Sequence, residues 1–268
     1  MAAVEAAGKD AVTEAISIRR CEGVEELQAC VALQQEVWGF SDAELIPLRL
    51  FVVAQKIGGQ TIGAFDGGEL IGYALAIPGN RNGHLYLHSH MLAVREQYRN
   101  YGLGRKIKLF QREDALERGI ELIEWTFDPL EIKNAFLNLE RLGAIARRYN
   151  INQYGTTSSP LHGGLPSDRL IAEWWLRSRR VETLLKDGKI PPIKAELTVE
   201  VPAEIYEWKS NPETRAKAVE VQSRNRDALM GAFARGLAAI GYRREERGNG
   251  AFLVGRWEES WSYGNAKS

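Results

Sequence analysis

The sequence predicts an α+β (mixed α/β) fold: a central, mostly antiparallel, twisted sheet flanked by helices, with a small C-terminal β-α-β extension. Three observations predict it. Stretches with helical apolar spacing alternate with strand-like runs along the 268 residues. Two hairpin signals, Asp66-Gly67-Gly68 and Asn82-Gly83, join three consecutive strands antiparallel. A glycine turn, Arg99-Asn100-Tyr101-Gly102-Leu103-Gly104, separates the longest strand from a helix.

The elements follow in order. Residues 16–19 alternate like a short strand, and 24–39 place Leu27, Cys30, Val31, Leu33 and Val37 at helical spacing. Pro47 starts a second helix with Leu48, Phe51, Val52 and Ile57 as its apolar stripe. Strands 60–65, 70–77 and 84–94 come next, then a helix over 103–118 closed by Gly119. Residues 120–127 form a strand ending at Asp128-Pro129, 131–142 a helix closed by Gly143, and 144–149 a strand. A loop rich in Gly, Ser, Thr and Pro spans 150–166, before a strand over 168–176. Beyond Pro191-Pro192, a strand (195–201), a long helix (213–240) ended by Gly241 and a strand (251–257) make the extension, which needs to dock on the rest to be stable. The domain reading is a disordered segment 1–14, a main domain 15–176, a linker 177–194, a subdomain 195–257 and a flexible tail 258–268.

Composition narrows the function classes. Thirty-five basic and thirty-five acidic residues cancel, so no polyanionic partner is indicated: neither nucleic acid nor membrane surface is expected. Two cysteines, Cys21 and Cys30, suit buried thiols in a reducing compartment. The alanine-rich start lacks a hydrophobic signal core, and no apolar run is long enough to span a bilayer, so a cytoplasmic location is expected.

The glycine turn carries the chemistry. The first N–H groups of a helix have no intrahelical partner, and the helix dipole adds positive charge there. Glycines at 102 and 104 remove the Cβ atoms that would hold the backbone away from an anion. The turn reads as a pyrophosphate cradle, although two glycines one residue apart also mark ordinary strand-to-helix turns. The chain contains no G-x-x-x-x-G-K-[ST], and this turn does not meet the three-glycine dinucleotide fingerprint.

The order of elements over roughly residues 16–176, with [QR]-x-x-G-x-[GA] matched by residues 99–104, resembles the GNAT superfamily of acyl-CoA-dependent N-acyltransferases. A closer likeness is to a bacterial and archaeal branch of it. That likeness rests on Ser89-His90-Met91, Trp-Thr-Phe-Asp-Pro-Leu at 125–130, Asn134-Ala135, Leu142-Gly143-Ala144, Tyr154-Gly155, the segment 166–169 and the Val-Glu-Val-Pro at 199–202. The resemblance implies a GNAT-type sheet whose strands splay around the glycine turn, with pantetheine lying in the cleft. It implies acetyl-CoA or another acyl-CoA as co-substrate, with no metal. Leu92 and Val94 would face the pantetheine amides, a backbone N–H near Leu92 polarising the thioester carbonyl. Arg99, Asn100, Gly102, Leu103, Gly104 and Arg105 would surround the pyrophosphate, and Asn134 would hydrogen-bond the pantetheine.

Amide formation from a thioester needs a deprotonated amine, a stabilised carbonyl oxygen and a departing thiolate. His88 and His90 lie two apart on one strand, so alternation puts both on one face, and an imidazole titrates near neutrality. His90 is the preferred base and His88 the second choice; either is otherwise a hydrogen-bonded strand residue. Glu124 is a further base candidate, and Asp128 either orients a histidine or only closes a turn. The tyrosine with which many GNATs protonate the leaving thiolate is replaced by Leu139, leaving Tyr149, Tyr154 or water. A His84–His88–His90 metal site lacks a further ligand nearby. Arg177, Arg179 and Arg180 form a basic run that either attracts the cofactor's 3′-phosphate or is a solvated linker. The expected function is transfer of an acetyl or other small acyl group from acyl-CoA to a primary amine of a small molecule, with a homodimer as one assembly the enzyme could form. Alternatives are a non-catalytic acyl-CoA sensor, or transfer of succinyl or another acyl group to an amino acid, with Arg169 or Arg147 receiving a carboxylate.

Overall fold

The computed structural model describes residues 16–155 and 164–263. The expected disordered segment 1–14 and part of the 150–166 loop lie outside them. The chain divides into two compact units, one up to residue 121 and one over residues 122–264.

In the first unit, β1 (Ser17–Arg20), β2 (Gln60–Asp66), β3 (Glu69–Arg81) and β4 (His84–Val94) pair in that order, each antiparallel to the next. Both hairpins form where the sequence predicts. Gly67 and Gly68 have φ of 55° and 92°, and Asn82 and Gly83 have 51° and 85°. Two consecutive left-handed residues make the turn whose twist matches the flanking strands.

Helices α1 (Gly23–Trp38) and α2 (Leu48–Lys56) cover one face, burying Leu27, Cys30, Leu33, Phe51 and Ala54 against Tyr73, Leu75, Met91 and Ala93. Phe51 and Tyr73 meet edge to face at 5.8 Å. Helix α3 (Leu103–Glu117) covers the other face, setting Leu103 and Ile107 on Ile62, Ala64, Ile71 and Ala74. Covered on both sides, β2 reads as a continuous buried run from Gln60 to Phe65.

In the second unit the strand order is β5 (Leu122–Phe127), β7 (Arg169–Trp175), β6 (Ile145–Asn150), β9 (Ala238–Arg244), β10 (Gly250–Gly255) and β8 (Leu197–Val201), again antiparallel throughout. Trp174 of β7 is fully buried, donates Nε1 to the Leu142 carbonyl at 2.6 Å and meets Trp125 edge to face. Helix α4 (Ile132–Phe136) continues as a π-turn, Leu137–Arg141, where one regular helix was expected.

The C-terminal extension departs from the expected β-α-β. It is β8, α6 (Ile205–Ser210), α7 (Arg215–Ala234), β9 and β10, with α5 (Arg179–Asp187) before it. Gly236, at φ 79°, ends the long helix early, and the apolar run Leu237-Ala238-Ala239-Ile240 that read as its last turn leads into a strand. Gly241, expected to stop the helix, sits inside β9, where a Cβ would run into the Ile193 side chain.

The segment read as a linker is ordered by α5, whose Ser178 caps Val181 and whose Val181 and Leu184 are buried. The expected tail is held as well as far as Tyr263, residues 264–268 lying outside the described residues. Trp257, Trp261 and Tyr263 pack around the Trp175 ring, and the Glu259 carboxylate accepts from the backbone N–H groups of Arg179 and Arg180. Aromatic residues supply the contact area that the polar composition of the tail concealed. Among the described residues no helix is long and apolar enough to cross a membrane.

Candidate functional site

The glycine turn and strand β4 form one continuous piece of the first unit. Beyond β4 the chain makes a 3₁₀ turn at Glu96–Tyr98, anchored by Tyr98 hydroxyl to Asp66 at 2.7 Å and by Arg95 to Glu36 and Glu69. Asn100 (φ 68°) and Gly102 (φ 75°) are both left-handed, and α3 begins at Leu103. Leu103 is buried and fixes the start of the helix against the sheet.

No side chain caps this N-terminus, and its first turn holds no acidic residue. A 15-residue helix thus points uncapped N–H groups and its positive end outward, with Arg99 and Arg105 flanking the turn. Arg99 Nε donates to the Val94 carbonyl at 3.0 Å, and Asn100 is exposed. A Cβ on Gly102 would meet nothing within 4 Å, so its glycine answers to the left-handed backbone and to the open space outside it. On Gly104 a Cβ would stand 3.7 Å from Leu92 and 3.9 Å from Val94, which is ordinary contact. These features fit a diphosphate.

Strand β4 carries a bulge. Met91 lies opposite Leu75 and Ser89 opposite Ala76, so His90 is the extra residue with no partner of its own. The alternation flips there: Ser89 and Leu92 both face α3, whereas Met91 faces α1 and α2. His88, opposite Ile77, shares the Met91 face. Simple alternation therefore does not relate the two histidines, yet the bulge still leaves their rings 6.1 Å apart. Burial lowers the His90 imidazole below its ordinary 6.5, which favours the neutral, proton-accepting form at pH 7. His84 stands at the exposed end of the hairpin, and among the described residues no three of His, Cys, Asp and Glu converge as metal ligands.

Beneath the bulge lies a group that sequence reasoning missed. Lys108 is buried in α3, with Nζ 3.0 Å from Ser89 Oγ and 2.8 Å from Gln111 Oε1. Gln60, on the same row of the sheet, donates to the Gln111 carbonyl and to Asp114. The signal was present: Leu103, Ile107, Lys108, Gln111 and Ala115 form the inner stripe of α3 at helical spacing, and two of them are polar.

Burial pushes the Lys108 amine well below its ordinary 10.5. The unfolded chain consequently binds a proton there over a pH range in which the folded chain does not. Stability relative to a non-titrating residue must rise as pH climbs from the lowered folded value toward 10.5. In urea unfolding at pH 7 and pH 9, wild type should gain on Lys108→Met with rising pH, by at most about 1.4 kcal/mol per pH unit. Parallel pH dependences would contradict this.

The remaining predicted residues belong to the second unit. Glu124 is buried opposite Glu173 on β7, and Arg148 bridges the two carboxylates while Arg147 pairs with Glu173. Asp128 accepts from the Leu130 N–H at 2.8 Å and from Lys209 Nζ at 3.1 Å, so it both closes a turn and pairs with a buried lysine. Asn134 is exposed on α4, and Leu139 is fully buried in the π-turn. Burial, and after it the bond that Tyr149 donates to Asp168 at 2.7 Å, raises the Tyr149 pKa, and the Tyr154 hydroxyl lies 3.0 Å from that of Thr126. Arg180 does not join a basic surface run. It is buried, donates to the carbonyls of Gly143 and Leu139, and burial lowers it to about 10.

Comparison with known proteins bears on this arrangement. The model of the Acetyltransferase (GNAT) family matches residues 8–142, just over half of the chain. No curated protein matches. Among solved structures, an N-acetyltransferase from Staphylococcus aureus Mu50 is 14% identical, covering 60% of this chain and 99% of its own, with a TM-score of 0.50. The ribosomal-protein-S18-alanine N-acetyltransferase from Escherichia coli is 16% identical over 68% of this chain and 98% of its own, with a TM-score of 0.48. At such identities the likeness to the Staphylococcus aureus protein is one of fold. With the glycine turn between β4 and α3, and a family match running across both, the chain belongs to the acetyltransferase (GNAT) family.

Proposed function

We propose that this protein transfers an acetyl or other small acyl group from acyl-CoA to a primary amine of a small molecule, by direct attack of the amine on the thioester. The observation that carries this reading is the uncapped N-terminus of α3, opened by left-handed Gly102 and followed back along β4 to a partly buried, neutral-leaning His90. The first is suited to hold the cofactor's diphosphate. The second is suited to take a proton from an ammonium that ordinarily titrates near 10.4. A CoA thiol near pKa 8.5 leaves tolerably as thiolate, so water can complete the proton inventory where Leu139 stands in place of an acid.

Leu139 also favours a second reading, a protein that binds acyl-CoA without turnover. One screen separates the two. Acyl-CoAs are incubated with a panel of amines, and free thiol and melting temperature are both followed. The transferase reading expects amine-dependent thiol release. A rise in melting temperature with acyl-CoA, and no thiol with any amine, would favour the sensor.

A further inference from the structure

The bulge at His90 is gripped from both faces of the sheet. On the α3 side Ser89 Oγ accepts from Lys108 Nζ at 3.0 Å and donates to Gln111 Oε1 at 3.1 Å, while Lys108 also donates to Gln111 at 2.8 Å. On the opposite side Met91 Sδ accepts from the Tyr73 hydroxyl at 3.4 Å. Ser89, Lys108, Gln111 and Tyr73 are all buried.

A bulge can migrate along a strand only if the residues it passes exchange faces. Moving this one past Ser89 would turn the hydroxyl toward the apolar face of Tyr73 and Leu75 and take an acceptor from a buried amine. Both changes leave polar groups unsatisfied in the interior, which is costly. A leucine at position 108 would fill the helix stripe without that liability. The lysine thus makes sense as a lock on the strand more than as packing.

We propose that Ser89 and Lys108 are positioning residues: together they fix the bulge at His90, and so set where its imidazole stands, without touching substrate themselves. The kinetic part rests on the reading of His90 as the group that takes the amine proton.

The test combines steady-state thiol release with the imidazole Cε1–H NMR signals. The chain has four histidines, and the His90 signal is assigned by its loss in His90→Ala. Ser89→Ala removes one hydroxyl and is the main variant; Lys108→Met is the second. The His90 signal should move in both variants. Ser89→Ala should lower kcat about ten-fold with KM for acetyl-CoA within about two-fold, and should cost nothing further in a His90→Ala background, because residues acting through one another are not additive. A purely structural loss would persist in that background. The proposal is overturned if the His90 signal stays in place in both variants, or if the full Ser89→Ala penalty survives without His90. Should His90→Ala itself turn over like wild type, the base assignment fails and the NMR shift alone decides whether the bulge lock stands.

Discussion

Gly102→Val is expected to abolish measurable acyl-CoA binding. Two effects act at this residue and must be separated. The backbone is left-handed (φ 75°), so a β-branched residue is strained by about 1–3 kcal/mol, and the variant should melt somewhat lower while remaining folded. The larger effect is on binding. A Cβ at this position meets no atom of the described residues within 4 Å, and it stands at the N-cap of α3, beside the first N–H groups of the helix. If a diphosphate rests there, the side chain displaces it from at least two hydrogen bonds to a charged group, at about 1.5–3 kcal/mol each, which amounts to a hundred-fold loss or more.

Gly102→Asn separates strain from obstruction. Asparagine tolerates the left-handed region, as Asn100 shows two residues earlier at φ 68°, so stability should be nearly unchanged while binding still falls. Titration calorimetry with CoA and thermal melts on both variants make the comparison. Wild-type affinity in Gly102→Asn would rule out the cradle.

His90→Ala is expected to lower kcat by roughly 10²–10⁴, the usual worth of a positioned general base, while KM for acetyl-CoA changes little. The pH dependence follows from the burial of the imidazole. His90 works only when neutral, and its pKa lies below 6.5, so kcat/KM should hold steady at neutral pH and fall as pH drops through that lowered value. The variant should lack this acid limb. The same depression has a stability consequence. Below about pH 6.5 the unfolded chain takes up the proton more readily than the folded one, so this residue's contribution is lost as pH falls. Turnover in His90→Ala equal to wild type would remove it as the base.

Much of the fold was legible because local chemistry and global topology agree in the first unit. Asp66-Gly67-Gly68 and Asn82-Gly83 specify turns that need positive φ, which settles the meander, and the bounds of β4 fall where the alternating run predicts. The glycine turn could be read because glycines at a helix start, with no capping side chain among them, leave the first N–H groups open to an anion. What stayed hidden depends on tertiary context. The bulge at His90 adds a residue without altering the sequence pattern, so the two histidines looked like simple alternation. Leu237-Ala238-Ala239-Ile240 satisfies helix and strand equally, and only the left-handed Gly236 decides. Trp261 and Tyr263 looked like a frayed end because the Trp175 ring they pack against is distant in sequence. Lys108 and Gln111 read as ordinary helix polar residues until the sheet beneath them is seen.

The most direct measurement is a crystal structure of the protein with coenzyme A. The diphosphate is expected against the backbone N–H groups of Gly102, Leu103 and Gly104, with Arg99 or Arg105 turned toward it. Electron density for the nucleotide bound elsewhere on the chain, with this helix start left bare at saturating ligand, would contradict the account.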